Sequence, residues 1–97
     1  MMAVEWSKVL LNVMKSGNVI IGSRRTLKAL KKGEVKLVVL ASNCPDEVKK
    51  AVAEYGVKIV EFPGMGVDLG TLCGKPFSVA ALAILDEKSA EMFTEVA

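Results

Sequence analysis

The stretch Val35-Lys36-Leu37-Val38-Val39-Leu40-Ala41 sets the tightest limit on how this chain can fold. It is almost continuously apolar and rich in β-branched residues, with no alternation that would leave one face for water. Such a run is the mark of a central strand covered on both faces. The flanking sequence supplies helices to cover it. Residues 3–16 place Trp6, Val9, Leu10, Val13 and Met14 at helical spacing until Ser16-Gly17-Asn18 stops the pattern. Val19-Ile20-Ile21 reads as a short buried strand. Ser23 to Lys32 reads as a helix that turns Leu27, Ala29 and Leu30 inward and ends at Gly33, a C′ glycine.

Beyond the central run, Pro45 suits a first helical position, and Asp46 and Glu47 complement the positive helix end. Val48, Ala51, Val52 and Tyr55 then make one apolar stripe, which Gly56 closes. Lys58 to Phe62 is a strand, Pro63-Gly64-Met65-Gly66 a loop, and Val67 to Cys73 a short helix. Gly74-Lys75-Pro76 breaks that helix, and Phe77 to Leu85 forms the last long strand. Asp86 can cap a terminal helix running through Glu95. The order α-β-α-β-α-β-α-β-α with short connections predicts an α/β fold, a three-layer α/β/α sandwich around a mostly parallel sheet. Ninety-seven residues fit one domain, residues 1–97, with no linker or internal repeat to divide it.

Charge is more informative in its placement than in its sum. The net charge is only +2, yet Arg24, Arg25, Lys28, Lys31, Lys32 and Lys36 fall together against Glu34 alone. Arg24 and Arg25 stand in the first turn of a helix, where cations oppose the macrodipole. An anion bound at that turn relieves the conflict, and phosphate is the natural candidate. Asp86, Glu87, Glu91 and Glu95 gather at the other end. A basic face and an acidic end suit a protein that meets a polyanion on one side.

Several chemistries drop out. The chain has no histidine, so neither a Ser/His/Asp nor a Cys/His constellation can be assembled. Spaced thiols and imidazoles for a metal are also missing. The glycine spacings of dinucleotide and Walker loops do not occur, so no cofactor is expected. Asp46, Glu47, Asp68, Asp86 and Glu87 fall at helix starts, where capping explains them. Cys44 and Cys73 read as free core thiols of a reducing compartment. The longest apolar runs are too short to span a bilayer. No signal-peptide pattern opens the chain, and a cytoplasmic location is the expectation.

Ligands of open α/β sheets bind beyond the carboxyl ends of the strands. That rim carries Gly22-Ser23-Arg24-Arg25, Ser42-Asn43-Cys44 and Pro63-Gly64-Met65-Gly66. If the last strand runs antiparallel, Gly74-Lys75-Pro76-Phe77-Ser78 joins them. Backbone amides and cations for phosphates, the Asn43 amide for a base edge and Phe77 for stacking describe recognition of unpaired RNA bases. A small-molecule or nucleotide ligand at the same rim is the alternative.

V-I-I-G-S-R-R-T-L-K-A-L-K-K-G, K-L-V-V-L-A-S-N and L-G-T-L-C-G-K-P-F-S-V-A-A-L-A-I-L together resemble the "L thirty e" family. These are large-subunit ribosomal proteins of archaea and eukaryotes, within the "L seven A e" superfamily of RNA-binding proteins. The resemblance covers nearly the whole chain in order and spacing. It implies a mixed four-stranded sheet and binding of ribosomal RNA at a kink-turn or related internal loop. It assigns RNA contacts to Gly22 and Arg24, bulged purines to Asn43, base stacking to Phe77 and an apolar contact to Val79. Ser23, Arg25, Lys28, Gly74 and Lys75 extend the RNA-binding surface. It further implies a non-enzymatic protein that is monomeric when free and has ribosomal RNA and other large-subunit proteins as partners, with no membrane. Gly-Lys-Pro-Phe is closer to this ribosomal branch than to the Val/Ile-rich loop of relatives in RNA processing and modification complexes.

Overall fold

The computed structural model describes residues 2–88, 90 and 91. In chain order the elements are α1 (Met2–Ser16), β1 (Val19–Ile21), α2 (Ser23–Lys31) and β2 (Leu37–Leu40). They continue with α3 (Asp46–Ala53), β3 (Lys58–Glu61), α4 (Gly66–Leu72) and β4 (Ala81–Ile84). The strands form one sheet in the order β1-β4-β2-β3. Only β2 and β3 pair parallel, Leu37 opposite Lys58 through Leu40 opposite Glu61. β4 lies antiparallel to both β1 and β2. The alternation of elements alone suggests a mostly parallel sheet, whereas the mixed four-stranded sheet that the family resemblance implies is what forms, because β4 inserts between β1 and β2 and runs against both.

The central run behaves as its composition dictates. Every residue of β2 and of β4 is buried. Successive side chains of a strand point to opposite faces, and the core divides accordingly. Leu37, Val39, Leu82 and Ile84 face Trp6, Leu10 and Val13 of α1 and Leu69 of α4. Val38, Leu40, Ala81 and Ala83 face Ala29 and Leu30 of α2 and Val52 of α3. Trp6 meets Phe62 edge-on, with ring centroids 5.1 Å apart and an interplanar angle of 90°, a favoured aromatic geometry.

The helix boundaries have local causes. Gly33 follows α2 with φ 73°, and its amide donates to the Leu30 carbonyl at 3.0 Å. That left-handed conformation is where glycine is least costly. Pro45 is the N-cap of α3 rather than its first helical residue, with Asp46 and Glu47 in the first turn. Tyr55 lies past the end of α3 and is 41% exposed, so it does not extend the Val48–Val52 stripe into the core. The last strand is shorter than Phe77–Leu85, because residues 77–79 pack on the backbone of α4 instead of joining the sheet. Glu87, Lys88, Ala90 and Glu91 are helical; the remainder of the terminal helix expected through Glu95 lies outside the described residues. Among the described residues, no helix is long and apolar enough to cross a membrane.

Cys44 and Cys73 are both free and buried. Burial pushes each thiol above its ordinary value, offset in part by Lys49 near Cys44 and by Lys75 near Cys73. Neither is therefore an activated nucleophile, since thiolate is the reactive form.

Two outcomes follow from this packing. Leu82→Ala, at a fully buried position of β4, is expected to cost about 2–5 kcal/mol in urea unfolding. A loss below about 1 kcal/mol would mean that the site collapses around the cavity. Thiols whose folded pKa is raised favour the native state fully at lower pH, and that contribution declines above about pH 8.5, where the unfolded thiols ionise first. A Cys44→Ala/Cys73→Ala variant should lose less stability between pH 8 and 10 than the parent, measured by denaturant midpoints; parallel curves would contradict the assignment.

Candidate nucleic-acid interface

The sheet topology decides what shares a rim. β1, β2 and β3 point the same way and β4 points back, so the exits of the first three strands and the entry to β4 lie at one end. The start of β4 is pinned there from both sides. The Gly22 amide donates to the Ala81 carbonyl and the Ala41 amide to the Ala80 carbonyl, each at 2.9 Å. The segment that leads into β4 therefore emerges between the exits of β1 and β2. An antiparallel last strand is what brings Lys75 and Phe77 to the rim.

At the β1 exit, Gly22 adopts φ 105° and ψ 143° and is the N-cap of α2. A Cβ there would meet nothing within 4 Å, so the backbone angle and not crowding requires glycine. With no cap side chain and no acid in the first turn, the helix start offers unoccupied amides. Ser23 is half-buried beside it, while Arg24, Arg25 and Lys28 are exposed. The cations expected to oppose the helix dipole do stand at its positive end, on the solvent side.

Asn43 lies just past the exit of β2, a strand separated from β1 only by β4. It is exposed, and its Oδ1 accepts the Gly66 amide at 2.8 Å. With the carbonyl engaged, what this side chain can offer a ligand is its NH2 donor. Neighbouring Ser42 is also tied across the rim, its amide and its hydroxyl both donating to the Gly64 carbonyl at 2.9 Å. The acid Asp68 is a cap, as its position suggested: its Oδ2 accepts the Met65 amide at 3.1 Å.

The third arm follows α4. Gly74, with φ 75°, is exposed and closes the helix through its amide to Thr71 O at 3.0 Å. Lys75 is half-buried, and Phe77 is 56% exposed, an aromatic face held in water. Val79 departs from its expected role. It is 1% exposed and packs with Leu69 and Trp6 in the core, so its side chain anchors the arm.

A groove of about 730 Å³ runs along the open edge of β1. It brings Arg25 and Lys28 of α2 together with Lys75 and Phe77 of the third arm. Lys32 lines it too, a cation that in sequence belongs to the basic cluster without any separate signal. Met65 and Val67, 54% and 56% exposed at the start of α4, add apolar surface beside the Asn43 clasp. Their only sequence signal was a Pro-Gly loop at a strand end. The arrangement has three components: cations and free helix amides, an amide donor, and an aromatic platform. Together they suit a folded polyanion with unpaired bases.

Known proteins point the same way. The pattern of the "Ribosomal protein L7Ae/L30e/S12e/Gadd45 family" matches residues 4–94. The chain is 46% identical over 96 residues to "Large ribosomal subunit protein eL30" of Methanosarcina mazei, covering 99% of this chain and 93% of that one. It is 49% identical over 83 residues to the protein of the same name from Archaeoglobus fulgidus, covering 86% and 96%. Among solved structures, a protein of unknown function from Bacillus halodurans shares the fold with a TM-score of 0.81 at 20% identity, covering 94% of each chain. The "15.5kD RNA binding protein" of Giardia lamblia shares it with a TM-score of 0.74 at 19% identity, covering 98% of this chain and 83% of that one. With its pattern matched over almost all its length, the chain belongs to the L7Ae/L30e/S12e/Gadd45 family of ribosomal proteins.

Proposed function

We propose that this protein is a non-enzymatic component of the large ribosomal subunit that grips ribosomal RNA at a kink-turn or related internal loop. The observation that carries the reading is the meeting, at one sheet rim, of the cationic α2 start, the Asn43 amide and the exposed Phe77 ring. Relatives that match nearly the full chain carry the name of a large-subunit protein, which supports the ribosomal setting. Other large-subunit proteins are then its neighbours and the cytoplasm its location. Residues 1–97 serve as one RNA-binding domain, monomeric before assembly.

The parts divide the work. Arg24, Arg25, Lys28 and Lys75 meet phosphates, and the uncapped amides at the start of α2, from Ser23 onward, add neutral donors to the same surface; Gly22, whose own amide is held by Ala81 O, lets the backbone turn there. Gly74 lets the third arm turn close to the RNA. Asn43 donates to an acceptor on a bulged purine, and Phe77 carries a stacked base. Phosphate contacts supply affinity without sequence information, while the last two supply discrimination. The non-enzymatic reading is supported by relatives named as a large-subunit protein, and without histidine the chain cannot build a Ser-His or Cys-His pair.

Calorimetry with a kink-turn RNA and a plain duplex at the same salt tests the reading; equal affinities would sink it. Phe77→Ala and Asn43→Ala should each weaken the kink-turn complex by about 1–3 kcal/mol and leave duplex binding nearly unchanged. Arg24→Ala should weaken both RNAs and reduce the slope of log K against log salt by about 0.7–0.9. An unchanged slope would remove Arg24 from the phosphate surface.

A further inference from the structure

α4 is only seven residues long, yet two of them are glycine, Gly66 and Gly70. Glycine is a poor helix former, and neither residue has a positive φ that would call for it. Their spacing of four puts both on one face of the helix, and both are buried. That face carries the arm from Lys75 to Val79. The Val79 amide donates to Gly66 O at 2.9 Å, while the Lys75 amide bonds Gly70 O at 2.9 Å as part of the turn that closes α4 and starts the arm. A methyl at Gly66 would sit 3.3 Å from the Val79 carbonyl oxygen and 3.5 Å from Asn43 Oδ1. At Gly70 it would collide with the carbonyl oxygen of Phe77 and lie 3.1 Å from its carbonyl carbon. The close approach of the arm, not the helix itself, is what demands glycine at Gly70 and disfavours a side chain at Gly66.

The same residues join the two base-reading side chains. Asn43 Oδ1 holds the Gly66 amide at 2.8 Å, and Gly66 O holds the Val79 amide. Val79 is fixed in the core, while Phe77 two residues earlier stands in solvent. A displacement at Gly70 therefore moves the backbone that bears the ring, with Val79 as the fixed point. We infer that α4 is the strut that sets the spacing between the Asn43 amide and the Phe77 ring, with Gly66 and Gly70 as positioning residues for RNA recognition. This rests on the RNA-binding function proposed above and adds that its two discriminating contacts are mechanically one unit.

The test compares Gly70→Ala, Phe77→Ala and the double variant on a kink-turn RNA and on a duplex, with thermal melts of each protein. Gly70→Ala is expected to lower kink-turn affinity about ten- to a hundredfold, the range for losing one stacked base. Duplex affinity and the salt slope should stay within about twofold, which a general loss of structure would not allow. The double variant should bind within about twofold of Phe77→Ala alone, because both changes remove the same contact. Wild-type discrimination in Gly70→Ala, or losses that multiply in the double variant, would overturn the strut. If Gly70→Ala does not fold, Gly66→Ala, with its milder crowding, takes its place in a cycle with Asn43→Ala and must show the same non-additivity. A parent protein that fails to prefer the kink-turn overturns the RNA reading itself; a parent that prefers it while the glycine variants match the parent overturns only the strut.

Discussion

Because Ala81–Ile84 is bonded to a strand on each side and buried on both faces, its direction governs the rest of the molecule. Leu82 and Ile84 turn toward α1 and α4, while Ala81 and Ala83 turn toward α2 and α3. Large residues fill one layer and small ones let the opposite helices approach. Running β4 antiparallel between β1 and β2 sends the chain in from the rim where those strands leave. A parallel fourth strand would have put Lys75 and Phe77 at the opposite end, away from Gly22 and Asn43.

Polar groups at that rim are engaged before any ligand arrives. Asn43 spends its carbonyl on Gly66, Ser42 ties to Gly64, and Asp68 caps Met65. The first two bonds join segments 23 and 22 residues apart, the third is a local cap, and together they hold the loops in one arrangement. The groups left over are of the kind RNA recognition needs: an NH2 donor, cations, uncapped helix amides and an aromatic face. Holding them in place before binding lowers the ordering cost of association. The glycines contribute by two different routes. Gly22 is needed for its φ of 105°, whereas Gly70 is needed because the Phe77 backbone lies against it.

Much of this was legible from residue pattern. The unbroken run around Val38 identified a doubly covered strand, because burial on both faces removes alternation. The Arg24–Arg25 pair is legible as a cationic helix start, since its conflict with the dipole is local. What pattern could not supply were properties set by distant partners. Phe77–Val79 reads as strand by composition, but the two glycines of α4 draw it out of the sheet. Sequence does not show that Val79, two residues after the exposed Phe77, is buried, because only the packing of α4 decides which way it faces. Lys32 joins the groove through the placement of the β1 edge, which no local signal encodes.

The sequence by itself determined the layered α/β order, the cationic helix start and the absence of imidazole chemistry. These depend on periodicity, on neighbours within one turn and on composition. Tertiary structure alone decided that β4 inserts between β1 and β2, that the Asn43 carbonyl is already occupied, and that α4 supports the Phe77 arm. Each of those is a contact between separate segments of the chain, beyond the reach of one helical turn, or a choice of pairing partner. Strand direction and hydrogen-bond partners are settled by the whole packed sheet, and a local window of residues does not contain that information.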